Sequence, residues 1–256
     1  MNIDELGGIA IAVADAARPV PLRYFRKPLA VEAKGDLSPV TIADRETELA
    51  MRAVLDARCP DHGVYGEEHG QQGLDRRFVW VIDPIDGTKS FISGMPLFTT
   101  LIALLDEGRP VLGVIDVPAM GERYHAVRGK GAFRDGTPIS VSGCRRLAEA
   151  VVYLAGHEPG DGGLAGRMAR LRGRGRLERY AYDGFAYAQL ASGHVDIMIE
   201  TDLEPYDYMA LVNVVEEAGG TITDWSGEPL SLNSKGDVLA TASRELHDEV
   251  LGLLGD

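Results

Sequence analysis

The chain has 256 residues, 45% of them hydrophobic and 25% charged, which is ordinary for a globular protein. With 39 acidic and 26 basic residues, its formal net charge is −13, so nucleic acid and anionic membranes are not expected as partners. Two separated cysteines argue against a disulfide framework and a thiolate zinc site. The sequence lacks a signal-peptide pattern and any apolar run that could span a bilayer, so a cytoplasmic protein is expected.

The first 60 residues have helical periodicity on either side of a loop-like segment at Lys34–Val40. One helix is predicted from Ile3 to about Arg26, with a break at Pro19 and Pro21. A second helix is predicted to begin near Asp44, whose carboxylate would cap free backbone N–H groups, and to end at Cys59. These helices precede the first predicted strand.

The middle of the chain changes to strand periodicity. The apolar run Phe78–Ile82 predicts a strand that stops at Asp83. Further strands are predicted at Leu97–Leu105, Val111–Val117, Tyr124–Val127 and Ala132–Phe133.

Past about residue 142, predicted strands and helices alternate. The strands are Val151–Leu154, Val195–Ile199 and Val238–Thr241, and the helices are Arg167–Leu171, Phe185–Ser192, a segment from Pro205 to Gly219, and the end of the chain. This change predicts an α+β subdomain in residues 1–141 and an α/β subdomain in residues 142–256.

The segment Asp83–Thr88 concentrates groups that could bind a cation and a phosphate. Asp83 and Asp86 can converge, the Ile85 carbonyl adds an oxygen, and Gly87 and Thr88 offer backbone N–H groups. The alternative is a plain turn, because Asp-Pro and Asp-Gly are common turn dipeptides. Two further acids favour the site: Glu67 in Gly66-Glu67-Glu68, and Asp207 just inside a predicted helix, where it could instead complement the helix dipole.

Taken together, these motifs resemble the inositol monophosphatase superfamily. The first motif is Trp80–Thr88, and the second is Pro205-Tyr206-Asp207 followed by Ala210 and Glu217–Gly220. Gly66-Glu67-Glu68 matches the acidic segment that precedes them. The resemblance implies a layered αβαβα sandwich, a homodimer, and Mg²⁺-dependent hydrolysis of a small phosphate monoester. It implies two or three Mg²⁺ per site, with Mn²⁺ as a substitute and Li⁺ as an inhibitor.

The resemblance also implies a role for each matched residue. The implied metal ligands are Glu67, Asp83, Ile85 through its carbonyl, Asp86 and Asp207. The implied catalytic residues, which activate and orient the attacking water, are Glu67, Thr88 and Asp44. The implied phosphate contacts are Gly87 and Thr88, and the implied contacts to the rest of the substrate are Asp86, Glu200 and Asp183.

Three further segments resemble the histidinol-phosphate phosphatase branch of the superfamily: Lys89–Pro96, Tyr182–Gly193 and Glu200–Tyr208. They predict L-histidinol phosphate as substrate. Its ammonium could face Glu200 and Asp183, and also Asp202 and Glu204, although the last two could equally be solvated loop acids and Asp183 a helix cap. The alternatives are an inositol monophosphatase, a broad-specificity sugar phosphatase, or a non-catalytic protein that retains the fold.

Six arginines between Arg167 and Arg179 form a basic stretch in this acidic chain. A solvated loop or helix face is the simplest interpretation, and a subunit contact is the alternative. His157, after a predicted strand, could reach a substrate or could simply be an exposed loop histidine. Lys34 matches a lysine near the family's active-site loop.

Overall fold

The computed structural model describes residues 2–28, 30–33, 39–154, 164–180 and 183–255. Lys34, His157 and Tyr182, which the sequence singles out, lie outside the described residues. In the described part of the chain, no helix is both long and apolar enough to cross a bilayer. Cys59 and Cys144 are free thiols, as their spacing predicts.

Eight helices are present in the described residues, and most begin or end where the sequence carries a cap or a proline. The first predicted helix is divided at Arg18, which confirms the break predicted at the prolines. The helices are α1 (Ile3–Ala17), α2 (Pro19–Tyr24), α3 (Ile42–Arg58), α4 (Thr88–Ile92), α5 (Leu164–Ala169), α6 (Asp183–Ala191), α7 (Pro205–Glu217) and α8 (Arg244–Gly255), with a 3₁₀ turn at Leu147–Glu149.

Fifteen strands are present in the same described ranges. They are β1 (Glu32–Ala33), β2 (Pro39–Val40), β3 (Gly63–Gly66), β4 (Gln71–Gln72), β5 (Phe78–Asp86), β6 (Thr99–Asp106), β7 (Arg109–Val117), β8 (Glu122–Val127), β9 (Ala132–Arg134), β10 (Thr137–Ile139), β11 (Val151–Leu154), β12 (Leu177–Tyr180), β13 (Ile197–Glu200), β14 (Thr221–Asp224) and β15 (Val238–Thr241).

The strands form two large mixed sheets and one two-stranded pair, β1 with β2. The eight-stranded sheet has the order β10-β9-β8-β7-β6-β5-β3-β4, antiparallel except where β3 lies parallel to β5. The five-stranded sheet has the order β12-β11-β13-β15-β14, with β11 parallel to both of its neighbours. The first sheet uses residues up to 139 and the second begins at residue 151.

Helices cover both sheets and separate them. On one face of the large sheet, α1 and α3 pack against apolar side chains such as Trp80 and Ile102. On its other face, α6 and α7 lie between the two sheets and share one core with both. Residues of α5 and α8 cover the outer face of the second sheet. This order of layers confirms the αβαβα sandwich predicted from the motifs.

Three expectations about local structure are corrected. The strand that begins at Phe78 does not stop at Asp83 but continues to Asp86, with a shift in its register to β6 between these two residues. Helix α3 begins at Ile42 with Thr41 as its N-cap, so Asp44 is the third helical residue and not the cap. Seven strands, β1 to β4, β10, β12 and β14, were not predicted, because each is short and lacks a long apolar run.

Candidate active site

The end of β5 shapes the first part of the site. The register shift between Asp83 and Asp86 interrupts the regular pairing with β6, and the Pro84 carbonyl in this bulge accepts a hydrogen bond of 2.8 Å from the Thr100 hydroxyl. A bulge re-aims side chains at the end of a strand. It therefore allows two carboxylates three residues apart to reach one point, which strict alternation would not.

Three carboxylates from two elements meet beside this bulge. One oxygen from each of Asp83, Asp86 and Asp207 lies within 4.8 Å of the other two. Asp83 and Asp86 come from β5, whereas Asp207 comes from the first turn of α7. We call these three residues the acidic cluster.

Lost hydration and mutual repulsion make the charged form of the acidic cluster costly. Burial, and then the nearby Glu67 and Asp86, raise the pKa of Asp83 well above its usual range. Burial, with Asp183 and Asp207 nearby, does the same to the pKa of Asp86. The pKa of Asp207 is raised to about 7, mainly by burial. The site therefore holds more negative charge than its surroundings stabilise.

Hydrogen bonds hold two of the three carboxylates of the acidic cluster, those of Asp86 and Asp207. Asp86 Oδ2 accepts from the Thr99 hydroxyl at 2.7 Å and from the Gly184 N–H at 2.6 Å. Asp207 Oδ2 accepts from the Glu204 N–H at 2.7 Å in a capping box. In the described part of the chain, no donor reaches Asp83 Oδ1, although this oxygen is buried. A buried oxygen of this kind suits a bound cation.

Gly87 and Thr88 follow the cluster at the start of α4. Gly87 has the left-handed conformation, with φ of 79°, and is the N-cap of the helix. N–H groups in the first turn of a helix have no partner within that helix. The Thr88 hydroxyl lies 3.2 Å from the Ile85 carbonyl and 3.5 Å from Asp44 Oδ1.

Asp44 is itself held firmly. Its Oδ2 accepts hydrogen bonds from the Thr41 N–H at 2.8 Å and from the Thr41 hydroxyl at 2.6 Å. Its other carboxylate oxygen, Oδ1, is the one that faces the Thr88 hydroxyl. The arrangement orients one carboxylate oxygen of α3 toward the hydroxyl at the start of α4.

Glu67 lies in the turn between β3 and β4, at residues 66–70. Its charge contributes to the raised pKa of both Asp83 and Asp207, which places its carboxylate next to the acidic cluster. Glu67 thus brings a third segment of the chain to the site.

Two more acids lie beyond the cluster. Glu200 ends β13 and accepts a hydrogen bond of 3.2 Å from the buried Tyr187 hydroxyl. Burial, and then Asp86, Asp183 and Asp207, raise the pKa of Glu200 well above its usual range. Asp183, the first residue of α6, accepts from the Ser90 hydroxyl at 2.5 Å, and burial raises its pKa. Both acids therefore share the electrostatic environment of Asp86.

Other candidates lie elsewhere. Asp202 and Glu204 are exposed, in agreement with the alternative that they are solvated loop acids. Within the basic stretch, Arg167 and Arg170 donate to the carbonyls of Leu254 and Leu253 at the C-terminal end of α8. Cations at that end of a helix are stabilising, so these two arginines have a structural role.

Several residues that support the site were not predicted. Thr99 and Tyr187 orient Asp86 and Glu200 through their hydroxyl groups. Glu48 contacts the turn that carries Glu67. The one signal in the sequence concerns Glu48, which lies four residues before Arg52 on a predicted helix. That spacing is usual for a surface ion pair, so it does not indicate a buried role.

The donor set fits a hard divalent cation. The acidic cluster, Glu67 and the Ile85 carbonyl offer oxygen atoms alone, which suits Mg²⁺, Ca²⁺ or Mn²⁺ and not a metal that prefers thiolate or imidazole. The buried Oδ1 of Asp83 and the raised pKa values of the cluster are what such a cation would relieve.

Comparison with known proteins gives a consistent result. Residues 2–255 match the family described as the inositol monophosphatase family. A chloroplastic bifunctional phosphatase of Arabidopsis thaliana is 43% identical over 243 residues, which cover 94% of this chain and 70% of the relative. A histidinol-phosphatase of Streptomyces coelicolor is 39% identical, with coverage of 98% and 97%. The structure of an inositol monophosphatase from Zymomonas mobilis superimposes with a TM-score of 0.89 at 37% identity, covering 100% of both chains.

Proposed function

The chain belongs to the inositol monophosphatase family of metal-dependent phosphatases, and from that premise we propose that it hydrolyses L-histidinol phosphate to L-histidinol and inorganic phosphate with the help of Mg²⁺. The observation that carries this choice of substrate is the pair Glu200 and Asp183. Asp86 interacts electrostatically with both acids, and the two acids interact with each other. Neither of them belongs to the acidic cluster.

A substrate that carries an ammonium group would use this extra negative charge. Ammonium–carboxylate hydrogen bonds are strong and give orientation. An inositol or sugar phosphate offers only neutral hydroxyls in that position, so it would leave Glu200 and Asp183 without a countercharge. The likeness to a histidinol-phosphatase over nearly the whole chain supports the same choice.

The residues that would hold the cations are the acidic cluster, Glu67 and the carbonyl of Ile85. When bound, two or three divalent cations would neutralise the phosphate dianion, lower the pKa of a water molecule and stabilise the leaving alkoxide. Mg²⁺ is the proposed ion, with Mn²⁺ as a substitute and Li⁺ as an inhibitor.

Thr88 and Asp44 are proposed to orient the attacking water. The Thr88 hydroxyl can accept a hydrogen bond from that water while its own proton points to Asp44 Oδ1, 3.5 Å away. A hydroxyl has a single proton, so this arrangement requires it to leave the Ile85 carbonyl, 3.2 Å away. Asp44 would stay fixed, since Thr41 holds its other oxygen.

The phosphate is proposed to lie on the first N–H groups of α4. Gly87 and Thr88 would donate to its oxygens, and the left-handed conformation of Gly87 turns the chain so that α4 begins here. Fixed donors of this kind stabilise charge on a transferred phosphoryl group without reorganisation.

Glu200 is proposed to bind the substrate ammonium, with Tyr187 holding its Oε2. Asp183 would flank it, oriented by the Ser90 hydroxyl. Asp86 would contact the substrate as well as the cation. A homodimer, a cytoplasmic location and the division into two subdomains at residues 141 and 142 stay predictions of the sequence.

The substrate is tested by a panel. Phosphate release with Mg²⁺ should give a kcat/KM for L-histidinol phosphate at least about 10-fold above that for inositol 1-phosphate or fructose 1,6-bisphosphate. A preference for either of the last two would overturn the assignment. Release that does not depend on an added divalent cation would overturn the metal requirement.

The role of Glu200 is tested by Glu200→Gln. Its KM for L-histidinol phosphate should rise about 10-fold or more, because an ion pair is lost, while its KM for an aryl phosphate should change little. Glu107→Gln is the matched control, since Glu107 is an exposed acid in the turn between β6 and β7 and takes no part in the site. Equal effects of Glu200→Gln on both substrates would remove its recognition role.

Inositol monophosphatase activity is the second candidate function. The structure from Zymomonas mobilis favours it, because that protein is described as an inositol monophosphatase and matches this chain along its full length. Under this alternative, kcat/KM for inositol 1-phosphate would exceed that for L-histidinol phosphate in the panel described above.

A further inference from the structure

Glu48 is a buried acid that the reaction described above does not use. It lies on α3, its side chain has 0% exposure, and its carboxylate accepts hydrogen bonds from the backbone N–H groups of Glu68, at 2.6 Å, and His69, at 3.1 Å. The Arg52 guanidinium donates to the same carboxylate at 2.7 Å. Unlike the acidic cluster, Glu48 therefore has its countercharge within the chain.

The hydrogen bonds of Glu48 converge on the turn at residues 66–70. Arg52 also donates to the Gly70 carbonyl, and the Gly66 N–H closes the turn onto that same carbonyl at 3.1 Å. The His69 ring reaches the Arg45 carbonyl at 3.2 Å. Helix α3 thus holds the turn at several points.

Glu67 is clamped by its two neighbours in sequence. On one side, the Glu68 N–H is bonded to Glu48. On the other, Gly66 packs so closely that an added Cβ would lie 2.1 Å from Glu48 Oε1. The backbone of Glu67 is fixed between these two contacts, and its side chain lies beside Asp83 and Asp207.

We propose that Glu48, tied to Arg52, is a positioning residue that holds Glu67 against the acidic cluster and thereby sets the affinity of the site for its divalent cation. Asp44 and Glu48 are four residues apart and so share one face of α3. On that face, Asp44 would orient Thr88, and Glu48 would orient Glu67. The inference rests on the proposed function, because it requires that the acidic cluster binds the cation.

The test measures metal binding directly. Metal-free protein is titrated with MnCl₂ in a calorimeter, for the parent chain, Glu48→Gln, Glu67→Gln and the double variant. Glu48→Gln should weaken Mn²⁺ binding about 10-fold or more, as expected for a residue that orients a metal ligand. In the Glu67→Gln background, the same change should weaken binding less than about 2-fold, because Glu48 acts through Glu67.

Asp116→Asn is the matched control. Asp116 is also fully buried and paired with arginine, but its carboxylate accepts hydrogen bonds from Arg18 and Arg123 and is separate from the turn that carries Glu67. It should lower thermal stability while leaving Mn²⁺ affinity within about 2-fold of the parent. A comparable loss of affinity in Asp116→Asn would mean that general destabilisation, and not positioning, weakens binding.

Two results would overturn the inference alone: Mn²⁺ affinity unchanged by Glu48→Gln, or an equal loss with and without Glu67. If Glu48→Gln does not fold, the same titration is made with Arg52→Lys. This variant keeps the positive charge but loses the guanidinium that joins Glu48 to Gly70. It should weaken binding about 3-fold, and an unchanged affinity would overturn the inference. Failure of the parent chain to bind Mn²⁺ would overturn the proposed metal site and this inference with it. The identity of the substrate affects none of these titrations.

Discussion

Asp116 and Asp83 are both buried acids of the eight-stranded sheet, but their surroundings differ. Asp116, on β7, accepts hydrogen bonds from Arg18 at 2.6 and 2.9 Å and from Arg123 at 2.6 Å. Asp83, on β5, lies beside Glu67, Asp86 and Asp207. Among the described residues, no lysine or arginine forms an ion pair with the acidic cluster.

The difference separates Asp116, an acid whose charge is compensated within the protein, from Asp83, an acid that lies among other acids. Burying a charge is costly unless it is paired. At Asp116 the chain supplies the pair, so the carboxylate joins Arg18, between α1 and α2, to strands β7 and β8 whether or not a ligand is bound. At the acidic cluster the described residues supply no such pair, and natural proteins accept such local cost mainly at functional sites.

The largest expected effect comes from Asp83→Asn, which removes charge from the acidic cluster and keeps its shape. Activity with Mg²⁺ should fall on the order of 10⁴-fold, about 5.5 kcal/mol, since a cation ligand is lost. Metal-free stability, measured by urea unfolding in EDTA, should not fall, because a repelled carboxylate is removed. Activity within 10-fold of the parent would show that Asp83 is not a ligand.

The next effect is the pH dependence of the metal-free protein. The folded pKa of Asp207 is raised from 3.8 to about 7. Its contribution to stability is therefore fully present below about pH 4 and is lost as pH rises through 7, by up to about 4 kcal/mol. The free energy of unfolding of the parent should fall relative to that of Asp207→Asn over this window in EDTA. Saturating Mg²⁺ should abolish the difference in slope, and parallel pH profiles in EDTA would contradict the prediction.

Asp116→Asn should show the reverse pattern, which is a loss of stability with little loss of activity. Two partly buried arginines lose their partner, at a cost of about 3 kcal/mol in unfolding free energy. The kcat/KM at a temperature where the protein stays folded should remain within 2-fold of the parent. A large loss of activity with little loss of stability would erase the distinction between the two regions.

The smallest effect concerns His247, a buried group that is kept neutral and not paired with a charge. It contacts the hydroxyls of Thr223 and Thr241, and burial lowers its pKa to about 4. Because the folded pKa lies below the unfolded value, stability is present above about pH 6.5 and declines as pH falls toward 4. With Mg²⁺ present, unfolding free energy at pH 5 should be about 2 kcal/mol lower than at pH 8. His247→Gln should remove this dependence, and a parent profile that stays flat would contradict the expected burial of a neutral ring.

The strand and helix pattern predicted many of the elements, because apolar periodicity is local information, whereas the order of the layers was implied by the resemblance of the motifs. The run Phe78–Ile82 predicted β5, and the acids after it predicted the point where the cluster forms. The bulge that carries β5 on to Asp86 was missed, since Asp-Pro normally ends a strand and the pairing that extends it depends on β6. The formation of short strands such as β14 likewise depends on pairing with neighbouring strands, which local sequence does not show.

The supporting contacts of the site could not be predicted. Glu48 and Arg52 have the spacing of an ordinary exposed ion pair, and only the packing of the turn at residues 66–70 against α3 buries the carboxylate. Arg18 and Asp116 are 98 residues apart in sequence, so no local pattern links them. Partners of this kind become visible only when tertiary structure brings distant segments together.

The hydrogen bond between the Gly184 N–H and Asp86 bears on how the protein folds. It joins residues 98 positions apart, and Asp207 arrives from still further along the chain. Closing such long loops is slow, because the entropy must be lost before the contacts form. Folding of the first sheet alone cannot complete the acidic cluster, because one of its three carboxylates lies on α7. A fragment of the chain that ends before α7 would therefore lack part of the proposed cation site.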